Sequence, residues 1–241
     1  MTQSLFISDL HLSVEQTERV RLFLRFLSER APQADHLYIL GDLFDAWIGD
    51  DYEQPPIPEI KLALQQLSHS GTQLWLMHGN RDFLIGADFC HETGATLLPD
   101  PTLVDLYGTP TLLMHGDLLC SDDEAYQQFR QEIRDPESVR GFLSQSIVQR
   151  LALAQHYREQ SGEAKSLKPE SIMDVNQKTV ESYLIDYAAQ RLIHGHTHRP
   201  ADHKVSLNAK TLSRHVLAEW HQDHSELLCV TPEGISRERF A

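Results

Sequence analysis

Five short apolar runs, each ending in a cluster drawn from Asp, His, Asn and Gly, constrain this chain more than any other feature. Leu5-Phe-Ile7 leads to Ser8-Asp-Leu-His11, and Leu37-Tyr-Ile-Leu40 leads to Gly41-Asp42. Leu74-Trp-Leu-Met77 leads to His78-Gly-Asn-Arg-Asp82, Thr111-Leu-Leu-Met114 to His115-Gly-Asp117, and Leu192-Ile193 to His194-Gly-His-Thr-His198. Such runs read as buried strands, although periodicity alone does not separate them from helix. Between them, residues 20–27 and 60–67 carry apolar side chains three and four apart, the helical spacing. Alternating strand and helix predicts an α/β architecture with the polar clusters gathered at strand ends.

From about residue 121 to 190 the rhythm breaks. Residues 137–159 show an amphipathic helical pattern, with Phe142, Leu143, Ile147, Leu151 and Ala154 near one face. Residues 161–169 read as a polar loop and 172–190 as a further helix. The stretch 121–190 is expected to be a helical insertion within a single domain spanning 1–241; a bundle packed on the sheet fits the same pattern. After His198, residues 215–220 and 226–231 look strand-like, with a turn at Pro232-Glu-Gly234.

Charge and cysteine content narrow the partners and the compartment. With 21 Lys and Arg against 35 Asp and Glu, the chain carries a formal charge of −14. That disfavours nucleic acid, which calls for basic stripes along the phosphate backbone, but leaves room for an anionic substrate at a locally positive site. Cys90, Cys120 and Cys229 make no disulfide framework. No secretory signal is visible, and no apolar run approaches the roughly 20 residues of a membrane span. A reduced, cytosolic protein is the expectation. The 14 histidines beside an acidic surplus raise the question of metal ligation.

Residues two apart on an extended segment point the same way, so Asp9 and His11 are expected to converge, as are His196 and His198. Asp42 follows Gly41, which lets the backbone approach closely. Asn80 and His115 also sit just beyond apolar runs with Gly alongside. Seven such groups exceed what one metal needs. With Asp42 bridging, Asp9, His11, Asp42 and His198 would hold one ion, and Asp42, Asn80, His115 and His196 a second. Mixed carboxylate, amide and imidazole donors suit Mn²⁺, Fe²⁺ or Zn²⁺. A pair of ions roughly 3.5–4 Å apart would clamp both sides of an in-line phosphoryl displacement.

The ordered set Asp9-x-His11, Gly41-Asp42, Gly79-Asn80-x-Asp82, His115-Gly116 and Gly195-His-x-His198 resembles the calcineurin-like metallophosphoesterases. The resemblance implies a β-sandwich flanked by helices, with a two-metal site at its rim. One departure is informative. The family commonly has His after the Gly-Asn pair, and this chain has Arg81. A guanidinium stays protonated at neutral pH, so Arg81 suits gripping phosphate oxygens rather than proton transfer.

Resemblance to one branch of that family extends through the insertion. It rests on Leu40-Gly-Asp-Leu-Phe-Asp-Ala-Trp-Ile-Gly-Asp50, His78-Gly-Asn-Arg-Asp-Phe-Leu84, His115-Gly-Asp-Leu-Leu-Cys-Ser-Asp-Asp123, Ser171-Ile-Met-Asp-Val-Asn-Gln177 and Leu192-Ile-His-Gly-His-Thr-His-Arg-Pro200. It implies metal-activated water attack on the α-phosphorus of UDP-2,3-diacylglucosamine, with two ions, manganese foremost, and an insertion acting as lid. The catalytic set so implied is Asp42, Asn80, Arg81, His115 and His196. Substrate contacts implied are Asn80, Arg81 and His196 at the phosphates, Asp123 and Tyr126 at the glucosamine, and Ser161, Lys165 and Lys168 from the lid. Part of the amphipathic face (Phe142, Leu143, Ile147, Leu151) would line an acyl pocket or meet the inner-membrane surface. Arg140, Arg150 and Arg158 could attract lipid headgroups there, in peripheral association with its cytoplasmic face. No obligate protein partner is evident.

Other residues take blander readings. His36, His69, His91, His156, His203, His215, His221 and His224 read as surface or structural, and His78 and His194 as supports for nearby ligands. Asp82 and Asp117 are expected to orient their neighbours, and Asp50 and Asp51 to form a solvated loop. A phosphodiesterase acting on a soluble nucleotide, and a binding scaffold without catalysis, are the competing functions. The complete ligand set disfavours the scaffold.

Overall fold

Parallel pairing of the apolar runs builds the first of two sheets. The computed structural model describes residues 2–167, 174–207 and 210–241, with the backbone alone for 159–167. Along the chain, β1 (Ser4–Ile7), α1 (Thr17–Glu29), β2 (His36–Leu40), α2 (Ile57–His69), β3 (Gln73–Met77), α3 (Ala87–Thr93) and β4 (Ala95–Leu98) alternate as expected. The strands β1 to β4 lie parallel and in order, with Leu5 opposite Leu37 and Leu37 opposite Leu74.

A hairpin of β5 (Thr102–Leu106) and β6 (Thr109–Met114) opens the second sheet. Four helices follow: α4 (Glu124–Ile133), α5 (Pro136–Leu143), α6 (Ile147–Leu167) and α7 (Gln177–Asp186). The chain then forms β7 (Arg191–His194), β8 (Ala201–Leu207), β9 (Lys210–Val216), β10 (Ser225–Thr231) and β11 (Gly234–Phe240). The sheet orders are β11-β10-β1-β2-β3-β4 and β5-β6-β7-β9-β8. In the second sheet β6, β7 and β9 are parallel, with antiparallel strands at both edges.

Three apolar layers hold the assembly together. Phe6, Leu40 and Met77 of the first sheet face Leu113, Ile193 and Leu217 between the sheets, all essentially inaccessible to water. Outside the first sheet, Phe23 and Phe26 of α1, Ile60 and Leu64 of α2 and Phe89 of α3 pack with Trp47 and Trp220. Outside the second, Val180 and Leu184 of α7 pack on Leu112, Met114 and Leu192. Each such side chain contributes about 1.5–3 kcal/mol through burial. Thus α7 belongs to the body, whereas α4 and α5 carry no buried side chain and stand over one rim.

The middle of the chain departs from the sequence reading in several ways. The continuous helix expected over 137–159 is two helices. Asp135 caps α5 by accepting from the amides of Glu137 and Ser138. After Leu143 a new helix starts at a reciprocal cap, with Ser146 Oγ accepting from Gln149 N and Gln149 Oε1 accepting from Ser146 N. The polar loop expected from 161 is helical as far as Leu167, where Glu163, Ala164 and Lys165 are good helix formers. Of the helix expected over 172–190, residues 172 and 173 lie outside the described residues, and α7 starts at Gln177 behind an Asn176 cap. The strand expected over 215–220 stops at Val216, because Leu217 N turns to His194 O and Trp220 N to Asp9 O. Among the described residues no helix is long and apolar enough to cross a membrane.

Candidate metal centre

The parallel strands of both sheets point their C-terminal ends at the same rim, where α/β proteins gather ligands. Backbone hydrogen bonds stitch the loops there. Asp9 N donates to Gly41 O, and Leu10 N and His11 N both donate to Asp42 O, at 2.8–3.1 Å. Gly195 N donates to His115 O at 2.8 Å, and His196 N reaches across to the Asp9 carboxylate at 2.9 Å. Gly41 has φ 91°, and a Cβ there would strike the His115 ring and the Gly79 backbone. Only glycine lets β2 and β3 release their ligand loops so close together.

Five proposed ligands adopt left-handed backbone: Asp9 (φ 55°), His11 (48°), Asp42 (54°), His196 (68°) and His198 (54°). Asp9 with His11, and His196 with His198, therefore do not converge through the two-residue repeat of an extended segment. Left-handed torsions aim them. Such torsions cost roughly 1–3 kcal/mol each in non-glycine residues, and they cluster where function imposes them.

The side chains fall into two groups whose ligand atoms lie within 4.8 Å of one another, Asp9 with His11 and His198, and Asp42 with His115 and His196. Asp42 Oδ2 stands between the groups, 3.8 Å from His11 Nε2 and 3.9 Å from His115 Nε2. Asn80 joins the second group, its Oδ1 3.1 Å from His115 Nε2 and 3.0 Å from His196 Nδ1. All seven expected ligands thus meet at one place. Oxygen and imidazole donors without thiolate fit Mn²⁺, Fe²⁺ or Zn²⁺.

The neighbouring groups fix ring orientation and protonation. His115 Nδ1 lies 2.9 Å from Leu40 O, and His198 Nδ1 lies 2.8 Å from the Glu219 carboxylate. Ser8 Oγ donates to Asp9 at 2.5 Å. Burial disfavours charge on His115, but Asp42, Asp117 and Asp9 prevail and raise it to about 9. Burial likewise opposes charge on His198, yet Asp9 and Glu219 raise it to about 10. Burial lifts Asp42 to about 7 and depresses His11 to about 4. For Asp9, burial is outweighed by His198 and the other imidazoles, which hold it well below the carboxylate range. Protons on His115 and His198 balance the carboxylates where metal cations would take over that role.

Glu219 and Ser8 were not expected from the sequence. Glu219 lies just beyond the end of β9, at the same rim, but reading 215–220 as one strand concealed it. Asp82 lies beneath the centre and accepts from the amides of Leu43 and Gly79 at 2.7 and 2.8 Å, tying two ligand loops together. The hydrogen bonds of His78 and His194 go to groups other than the ligand side chains. His78 Nε2 meets Ile85 O, and the buried His194 lies between Gly195 O and Arg214.

Beside the second group opens a largely apolar cavity of about 360 Å³. Asn80 and Arg81 form its edge, Trp47, Phe83 and Leu84 one wall, and Phe129, Val139, Phe142, Ala154 and Tyr157 of α4 to α6 the rest. Arg81 N donates to Asp42 Oδ1 at 2.8 Å, so the Asp42 carboxylate anchors the backbone that carries this guanidinium. Tyr126 also lines the cavity, its hydroxyl donating to Asp117 at 2.8 Å, while Asp123 caps α4 by accepting from Tyr126 N. Ser161 and Lys165 fall on the backbone of α6, and Lys168 lies outside the described residues.

Two surface readings are corrected. Asp50 is no solvated side chain: it accepts from Trp47 Nε1 and from the amides of Gly86 and Phe89, which anchors the start of α3. Arg150 cannot attract headgroups, because it is buried and bound to Ile48 O and Asp51; Asp51 itself stays exposed in its turn, as expected. Arg158 pairs with Asp45, and Arg140 remains exposed near Glu137. His215 is buried, with Nδ1 2.7 Å from Asp202.

Two facing mixed sheets with a bipartite O/N ligand cluster at one rim define a metal-dependent phosphoesterase, and the chain belongs to the calcineurin-like phosphoesterase family, whose model matches residues 3–200. It is 48% identical to the UDP-2,3-diacylglucosamine hydrolase of Marinobacter nauticus, over 91% of this chain and 90% of that one. It is also 48% identical to the enzyme of the same name from Salmonella typhi, with 98% of each chain covered. Among solved structures, an archaeal phosphodiesterase aligns over 98% of this chain and 99% of its own, with TM-score 0.48 and 10% identity.

Proposed function

We propose that the chain hydrolyses UDP-2,3-diacylglucosamine to UMP and 2,3-diacylglucosamine 1-phosphate, the step of lipid A synthesis for which its relatives are named. The observation that carries this reading is the apolar cavity opening directly off Asn80 and Arg81. A nucleotide diphosphate at the ligand groups would place its acyl chains against Phe83, Phe129 and Phe142, an environment a soluble nucleotide would not use.

Asp9, His11, Asp42 and His198 would hold one divalent ion, and Asp42, Asn80, His115 and His196 the other. Such ions supply Lewis-acid polarisation of phosphoryl oxygens and activation of water at neutral pH. Manganese is our choice among the metals that this donor set admits. The chain's own residues provide the rest. Arg81 grips phosphate oxygens bidentately and stabilises the charge that builds on them as the α-phosphorus is attacked. Its permanent charge excludes a role in moving protons. His196, between Asn80 and Tyr126, faces the same phosphates. Asp123 and Tyr126 border the glucosamine, Ser161, Lys165 and Lys168 complete the proposed substrate contacts, and α4 to α6 form the lid that shields the reacting bond from bulk water.

A lipid substrate brings the protein to a membrane. Leu143, Val148 and Leu151 of α5 and α6 are exposed, Val148 by 76%, and Arg140 accompanies them. These residues support peripheral association with the cytoplasmic face of the inner membrane through partly inserted apolar side chains.

Release of UMP from UDP-2,3-diacylglucosamine, with manganese added, tests the reading against UDP-glucose as comparison. Activity confined to the acylated substrate and abolished in Asp42→Ala supports it. Equal turnover of UDP-glucose, or full activity in Asp42→Ala, overturns it.

A further inference from the structure

Tyr126, Arg130 and Arg134 lie four residues apart along α4 and its C-terminal cap, so they share one face of the first inserted helix. That face rests on the centre itself. Arg134 Nη2 donates to Gly79 O at 2.7 Å, one residue before the ligand Asn80, and its guanidinium lies 5.2 Å from the Phe83 ring centroid. The loop bearing Asn80 and Arg81 is thus held at both ends by Arg134 from above, while Asp82 ties it from below. Arg130 Nε and the Tyr126 hydroxyl both donate to Asp117 Oδ2, at 2.6 and 2.8 Å, two residues after His115. Asp117 is fully buried, and Asp100 lies 3.6 Å from Arg130 while receiving His115 N at 3.4 Å. The Tyr126 ring stands 6.1 Å from that of His196.

The ligands nearest this face (Asn80, His115, His196) belong to the second group, and the shared Asp42 meets the loop it holds through Arg81 N. The first group is held by other means, Ser8 on Asp9 and Glu219 on His198. We infer that the α4 face, with Arg134 foremost, positions the second metal half-site alone, so that the lid's first helix governs the occupancy of one ion and not the other. Arg134, Arg130 and Tyr126 are positioning residues in this scheme. Because α4 also walls the cavity, whatever docks there and steadies α4 raises the affinity for the second ion, and that ion by linkage favours the docked state.

The inference rests on the two-metal reading, and binding measurements separate the two. Manganese titrations by calorimetry, with thermal unfolding as a check on folding, are made in two backgrounds. His11→Ala leaves the second half-site, and His196→Ala leaves the first. Adding Arg134→Gln to His11→Ala is expected to weaken manganese binding by about 10–100-fold, the usual effect of losing a group that orients a ligand. Added to His196→Ala, it is expected to change binding less than about twofold. Arg134→Lys, which can still donate to Gly79 O, should recover most of the loss. Equal weakening in both backgrounds, or none in either, overturns the assignment. If Arg134→Gln does not fold, the same cycle with Tyr126→Phe decides it, since that change removes only the hydroxyl bound to Asp117. If the unaltered protein binds no manganese, the two-metal reading itself fails.

Discussion

Arg150 of α6 forks onto the carboxylate of Asp51, so α6 is pinned to the loop that follows β2. One Nη1 also donates to Ile48 O, and a Cβ at Gly49 would collide with that guanidinium. Arg150→Ala frees the exposed Asp51 to water but leaves Ile48 O without its charged donor. The expected cost is about 1.5–3 kcal/mol, measured as a fall in denaturant midpoint at unchanged slope. An unchanged midpoint would mean that the pin contributes nothing.

A second prediction concerns Glu219. Its carboxylate orients His198 through Nδ1, leaving Nε2 to face the centre. Glu219→Gln keeps the shape and loses the charge. In a manganese titration, affinity at the half-site that includes His198 should drop about 10–100-fold, visible as a biphasic curve. A titration matching the unaltered protein would remove Glu219 from the site.

The pH dependence follows from the two raised imidazoles. His115 at about 9 and His198 at about 10 are protonated at neutral pH in the metal-free protein. Metal ligation requires them neutral, so binding near pH 7 should release protons, and affinity should rise with pH until about pH 9–10. Calorimetry in two buffers of different ionisation heat measures that release. For folding the sign is opposite. These raised values stabilise the metal-free fold below the unfolded histidine value near 6.5, and that contribution is lost as pH passes through 9 to 10. The metal-free protein should therefore melt lower at pH 10 than at pH 7.

Phe142 tests the cavity. Phe142→Ala removes apolar surface worth about 1.5–3 kcal/mol if an acyl chain covers it. KM for the diacyl substrate should rise tenfold or more, with little change for a substrate lacking acyl chains. Equal effects on both would place the chains elsewhere.

Much of this architecture is readable from residue order. Buried parallel strands are short, continuous apolar runs, so β1, β2, β3, β6 and β7 stand out, and each ends where its ligand loop begins. β8 does not, because Ala201 to Leu207 is largely exposed at a sheet edge and carries Asp, His and Lys. The break between α5 and α6 had a local signal, the Ser146-x-x-Gln149 cap, obscured by an apolar stripe running through both helices. Glu219 and Ser8 had none strong enough, since a lone acid or hydroxyl reveals its partner only once the loops are folded together. The left-handed torsions at Asp9, His11, Asp42, His196 and His198 were hidden for a similar reason: side-chain chemistry chose those residues against backbone preference.

Those torsions bear on any attempt to transplant the centre. Grafting seven side chains onto another sandwich with ideal loops would reproduce the inventory and miss the aim, because regular backbone points each donor elsewhere. A faithful copy must import the turns whole, along with Gly41 and the Asp82 tie beneath them. What this chain would contribute to a designer is a piece of contorted backbone, for which the ligands are the visible markers.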